Sequence, residues 1–368
     1  MDLRRVLLGV AAHGLPTADV ALPGAPLEPA HWARVKMGID HQRLTGQGVA
    51  AAADGALVLT DEQRQQLEDD HLAAMAHALR MERQLCTVDD VLIPRGIAFA
   101  VLKGTAVAHL DYANPAQRGF GDVDVLIPTE QWGEALAALF AAGYDRPTAE
   151  VGPGFDTRFG KGATLVAAGG QELDVHRTLV MGPFGLLVDL AELWDNLEPF
   201  ELGGRRFAAL GSEQRLLHAC FHAVIGNAGR RVLPYRDVAE MTLFGTYDAD
   251  RLIELARHWR AEAVVAQAIT ETWDALGMTQ ELPLHTWARS RGVSRWEQRM
   301  LAVYTPQSSY AAKAVAAVTV LPRWRDRVDF VRTLALPTRD TGRGRLGWLV
   351  RGARRVARDA RRARAARG

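Results

Sequence analysis

Residues 118–128 read RGFGDVDVLIP, and the two carboxylates in that stretch decide how the chain is understood. Val123, Val125, Leu126 and Ile127 give it the composition of a buried strand. Side chains alternate faces along a strand, so Asp122 and Asp124 point the same way with Val123 on the other side. Two like charges held together and withdrawn from water are costly unless a cation sits between them. The plainer alternative is that both aspartates cap a turn leaving the Gly119-Phe120-Gly121 loop.

Working outward, "IAFAVLKG" (97–104) reads as a second buried strand that ends at Lys103-Gly104 and gives way to a short helix, "TAVAHLDYA". "TEQWGEALAALFAAGY" (129–144) is amphipathic at helical spacing, with Thr129 as its cap and Gly143 as its stop. "ATLVAAGGQELDVHRTL" (163–179) reads as a hairpin turning at Gly169-Gly170. The order is strand, helix, strand, helix, then two antiparallel strands, which makes residues 96–180 a small α+β core with a mixed sheet. Upstream, Thr60 and Gln63 form a capping-box pattern that opens a long helix from about residue 62 to 92, stopped at Pro94 and Gly96. Residues 1–95 are therefore an N-terminal helical segment. The pattern from 181 to 338 is mostly helical and is expected to form a helical substrate or acceptor domain.

The candidate chemistry lies in the order of these pieces. A divalent metal shared by Asp122 and Asp124 would relieve their repulsion, and Mg²⁺ favours a few carboxylates plus water and phosphate oxygens. Asp174, flanked by Leu173 and Val175, offers a third carboxylate on a nearby strand. Lys103-Gly104-Thr105 stands where a strand becomes a helix, a place where backbone N–H groups meet phosphates, and Lys103 and Arg118 would add charge against a triphosphate. Each piece alone has a structural reading: Asp174 as an edge-strand charge, His176 as a packed surface histidine, Lys-Gly as a strand end. The combination in this order is far rarer than its parts. Lysine is also scarce, with Lys36, Lys103, Lys161 and Lys313 against 40 arginines, so a lysine at 103 stands out.

On these residues the chain resembles the nucleotidyltransferase superfamily that includes DNA polymerase beta and the aminoglycoside nucleotidyltransferases. It is most similar to a bacterial nucleotidyltransferase family, itself largely uncharacterised, whose pattern is matched here by Leu102-Lys103-Gly104, Tyr112, Arg118, Asp122-Val123-Asp124 and Asp174-Val175-His176. Downstream, "EQRLLHACFHAV" and "LPYRDVAEM" match its helical region with His218, His222 and Asp237. The resemblance covers about residues 60–335. It implies Mg²⁺, with Mn²⁺ as a substitute, on Asp122, Asp124 and Asp174, with Asp174 on the second metal or acting as base. It implies an NTP held by Lys103, Gly104, Thr105 and Arg118. The acceptor would be a small molecule, peptide, protein or RNA, with His176, His218, His222 and Asp237 as candidate substrate contacts. Thr105 stands where serine or glycine is common, the gap from Gly104 to Asp122 is longer than usual, and Asp174 stands where close relatives often carry Glu. His218 and His222 share a helix face; such a pair can bind metal, but no third ligand stands nearby in the sequence, so packing or substrate contact is the expectation.

Composition bounds the rest. With 48% apolar residues over 368 positions, a substantial core is available. The opening "MDLRRVLLGVAAHGLP" is too short an apolar run to read as a leader and is expected to be a first helix. Two distant cysteines, Cys86 and Cys220, and no spanning apolar run point to the cytoplasm. Residues 339–368 carry 11 arginines and two aspartates, a net of +9, which leaves −8 for the remainder of a chain whose total is +1. That tail has the composition of a non-specific anion-binding segment, so the competing readings are an RNA-directed or nucleic-acid-binding protein, or a non-catalytic scaffold of the same fold.

Overall fold

The computed structural model describes residues 2–17, 22–227, 231–305, 308 and 310–335. The arginine-rich tail lies outside them. Four helices come first: α1 (Leu3–Ala12), α2 (Pro29–His41), α3 (Thr45–Ala53) and α4 (Asp61–Leu92). The capping box that opens α4 is formed, with Thr60 accepting from the Gln63 N–H and Gln63 reaching back to the Thr60 N–H. Its inner stripe, Met81, Leu85, Val88 and Leu92, recurs at helical spacing and is buried. Pro94 forces a 3₁₀ turn and Gly96 takes φ 70°, which ends the helix.

A six-stranded mixed sheet follows, built from β1 (Ala100–Leu102), β2 (Val123–Leu126), β3 (Gly162–Val166), β4 (Glu172–His176), β5 (Glu198–Leu202) and β6 (Arg205–Ala209) in the order β3-β4-β2-β1-β6-β5. Between the strands lie α5 (Lys103–Leu110), α6 (Trp132–Ala141) and α7 (Phe155–Arg158). β2 is antiparallel to β1 and parallel to β4, and the β3–β4 hairpin turns at Gly170 with φ 83°. The rest is helical: α8 (Ser212–Val224), α9 (Leu233–Phe244), α10 (Ala249–His258), α11 (Glu262–Leu276), α12 (Pro283–Ser290), α13 (Arg295–Ala302), α14 (Tyr310–Val320) and α15 (Trp324–Ala335).

Alternation along the strands divides the sheet between two cores. Val101, Val123, Val125, Leu165, Leu173 and Val175 face α4 and α6 in one cluster. Ala100, Leu102 and Leu126 face the other way, into the cluster that joins α1–α3 to α8–α11. The first helices and the later ones therefore share one core, although some 150 residues separate them in the chain (about one domain's length).

Two local expectations differ from what is observed. Residues 129–131 form a 3₁₀ turn whose Gln131 N–H bonds Pro128 O at 3.0 Å, so α6 starts at Trp132 and Thr129 is not its cap. The mostly helical stretch from 181 also contains the β5–β6 hairpin. Its signal, alternating apolar residues around Gly203-Gly204, was overshadowed by the helices after it; both glycines take positive φ, as a tight turn demands.

Candidate active site

The face of the sheet turned away from α4 and α6 carries the polar chemistry. β2 and β4 run parallel with Asp124 opposite Asp174 and Leu126 opposite His176. Parallel neighbours lie about 4.8 Å apart, so one register pairing brings two carboxylates from distant segments side by side. One potential ligand atom from each of Asp124, Asp174 and His176 lies within 4.8 Å of the other two. Thr164 on β3, opposite Asp174, donates to its Oδ1 at 2.6 Å and fixes that carboxylate. Asp122 precedes β2 in a bend; it stands outside this group of three, about a third exposed, with Arg43 Nη1 3.7 Å from its Oδ1.

The cation that the paired aspartates require comes partly from the chain itself. Lys103 Nζ lies 2.6 Å from Asp124 Oδ1, and His176 Nε2 donates to the same oxygen at 2.7 Å. Burial alone would push the Asp124 carboxyl up. The Lys103 ammonium and the His176 hydrogen bond overcome that and hold it well below the usual carboxylate range. Burial works against the Lys103 charge, but attraction to Asp124 leaves its pKa raised. For His176 burial dominates, reinforced by Lys161, and its pKa is lowered, which favours a neutral ring despite the aspartate. Lys103 holds this position at φ 39°, a strained value for a residue with a side chain and one that the buried ion pair explains.

A cavity of about 120 Å³ opens at this point, lined by Arg43, Lys103, Gly104, Arg118, Asp122 and Asp124 among others. Gly104 brings backbone to its wall; a Cβ there would meet the Phe120 side chain at 3.3 Å. Thr105 is buried and is not part of the lining. Arg118 reaches the wall, yet its Nε and Nη2 donate to Asp237 at 3.2 and 2.8 Å, and Tyr112 adds a third bond to that carboxylate at 2.9 Å. Arg118 and Asp237 thus form a buried, bidentate pair that ties the loop before β2 to α9, leaving only part of Arg118 for a ligand. His218 and His222 extend from α8 into an adjoining cavity of about 360 Å³, and His222 also lines the smaller one. Burial drives both imidazoles toward the neutral form, His218 well below the ordinary histidine value and His222 down to about 3.

Oxygen donors from two fixed carboxylates, with Asp122 lining the same small cavity as Asp124, fit a hard divalent cation. His176 is engaged with Asp124 and serves better as the group that orients it. Sequence reasoning missed three cations. Arg43 and Arg231 line the small cavity from segments with no local motif; Arg43, at φ 58°, shares the strained backbone of Lys103. Lys161 lines the larger cavity, and the lysine scarcity that singled out Lys103 applied to it equally.

A family model described as uncharacterised nucleotidyltransferase matches residues 29–272. The crystal structure of an antigenic nucleotidyltransferase-like protein from Paracoccidioides brasiliensis aligns at 15% identity and a TM-score of 0.33, over 57% of this chain and 96% of that one. No curated protein matches. Among the described residues no helix is long and apolar enough to cross a membrane.

Proposed function

The chain belongs to this family of uncharacterised nucleotidyltransferases, and on that premise we propose that it transfers a nucleoside monophosphate from an NTP to an acceptor hydroxyl and releases pyrophosphate. The observation that carries the reading is the registered Asp124–Asp174 pair beside a small cavity whose other walls supply Arg43, Arg231 and Lys103. Phosphoryl chemistry needs positioning and charge neutralisation above all, and those residues supply both.

The acceptor oxygen attacks the α-phosphorus in line, a new P–O bond forms, the bond to the bridging oxygen breaks, and its electron pair leaves with pyrophosphate. Asp174, oriented by Thr164, takes the hydroxyl proton. Lys103 and Arg43 offset charge on the phosphates, with Gly104 permitting close approach. His176 keeps the Asp124 carboxylate aimed and ionised. Mg²⁺, or Mn²⁺ in its place, held by Asp124 and Asp174 with Asp122 adjacent, would supply Lewis-acid charge at the reacting phosphate.

Calorimetry of Mg·NTP binding tests this. The native chain should bind in the micromolar range (order of 10⁻⁶ M), and the folded Asp122→Asn/Asp124→Asn variant should not. Equal binding by both would remove the site from the reading.

A further inference from the structure

The adjoining cavity of about 360 Å³ lies between α7, residues 179–186, α8, α14 and α15, within the roughly 300–1,000 Å³ common for small-molecule sites. Its walls are largely apolar and aromatic, with Phe155, Phe159, Phe221 and Phe330 among them. Three of the four lysines in the chain line it, Lys103, Lys161 and Lys313, and among the described residues no aspartate or glutamate does. In a chain with 40 arginines this convergence is not compositional. Lys36 and Lys103 are paired with Asp70 and Asp124; Lys161 and Lys313 have no carboxylate partner among the described residues. Burial, and then repulsion from Lys103, depress the Lys161 ammonium more than Asp124, Asp174 and Asp122 raise it, a cost that a bound anion would reduce.

The lining also argues against a nucleobase. Apart from the lysines, the polar side chains lining it among the described residues are His218, His222 and Tyr304, with no amide, carboxylate or aliphatic hydroxyl to pair a base edge. A base buried there would leave donors and acceptors unmatched. The cavity touches the carboxylate site through Lys103 and His222, which line both.

We infer that this cavity is the acceptor pocket and selects a small hydroxyl-bearing molecule with an apolar, ring-sized body and one anionic group, a carboxylate or a phosphate monoester, bound by Lys161 and Lys313. The inference rests on the transfer reading above. The test uses the full chain and three probes on one scaffold, 3-phenylpropionate, 2-phenylethyl phosphate and the neutral 3-phenyl-1-propanol, titrated calorimetrically with and without Mg·NTP. The anions should bind the native chain about tenfold or more tighter than the alcohol. The Lys161→Met/Lys313→Met variant should lose that preference, and Ala317→Trp, which fills the cavity, should bind none of them. In both variants Mg·NTP binding should persist, showing that they fold. The tighter of the two anions identifies the anionic group.

Equal affinity for the alcohol and the anions, no binding of any probe to the folded native chain, or competition between probe and Mg·NTP would each overturn the inference. The last would place the nucleotide in this cavity. A native chain that binds the anions but no Mg·NTP, with or without probe, would overturn the transfer reading instead and leave the anion site standing.

Discussion

Asp124→Asn should destabilise the protein chiefly by stranding Lys103. The side chains of the pair are 17% and 2% exposed, with 2.6 Å between charged atoms. At an effective dielectric of about 20 their gross attraction is roughly 6 kcal/mol. Most of that offsets desolvation, and removing one partner of such a pair costs about 3–5 kcal/mol. Lys103 retains some solvent and the more distant charges of Asp122 and Asp174, which places the expected loss near about 3 kcal/mol. Asparagine keeps the shape and can still accept from His176, so packing contributes little. Replacing the lysine as well, in Asp124→Asn/Lys103→Met, should recover most of the loss, giving a coupling of at least about 2 kcal/mol. Urea unfolding followed by tryptophan fluorescence measures all four corners of the cycle, and neither Asp124 variant should transfer nucleotide. If the double variant is no more stable than Asp124→Asn alone, Lys103 is not the cation that makes this buried carboxylate tolerable.

The histidines on α8 make the fold acid-sensitive. His222 titrates near 3 in the folded state against about 6.5 unfolded, so stability is full above the unfolded value and falls below it, by at most about 2 kcal/mol between pH 7 and 5. His218 shifts the same way and adds to the slope. Urea midpoints at pH 7, 6 and 5 check this, and His222→Gln should flatten the slope. Gly162→Ala should cost about 1–3 kcal/mol, because its Cβ would lie 2.0 Å from Val175 O on β4; an unchanged melting temperature would show that β3 can move away without cost. Arg43→Ala should weaken Mg·NTP binding by about tenfold or more, read by calorimetry, with little change in stability because the arginine is partly exposed.

Much of the fold was legible because its signals are local. The Thr60 capping box, the Pro94-Gly96 stop, the two-residue alternation in "DVDVLIP" and the Gly169-Gly170 turn each act within a few residues, and each formed where the sequence places it. The β5–β6 hairpin was missed although its Gly203-Gly204 turn is equally local, because a short strand pair carries a weaker periodic signal than the helices beside it.

The site divides along the same line. That Asp174 and His176 share a face follows from the pleat alone; the same reasoning put Asp122 on the face of Asp124, but Asp122 stands in the bend before β2, where the pleat does not hold it. Which of these residues meet does not follow from the pleat. Register between β2 and β4 placed Asp174 opposite Asp124 and brought in His176, while Arg43, some 80 residues upstream in the sequence (a separation no local period can encode), took the side of Asp122. Arg118 carried the right charge for a phosphate, but folding set a buried carboxylate from α9 against it, and a bidentate pair out of water holds its partner more firmly than solvent does. The residue types, and hence the chemistry, were written in the sequence. The pairing of charges was decided by tertiary structure, because burial penalises every unmatched charge and only the folded chain determines which partner lies within reach.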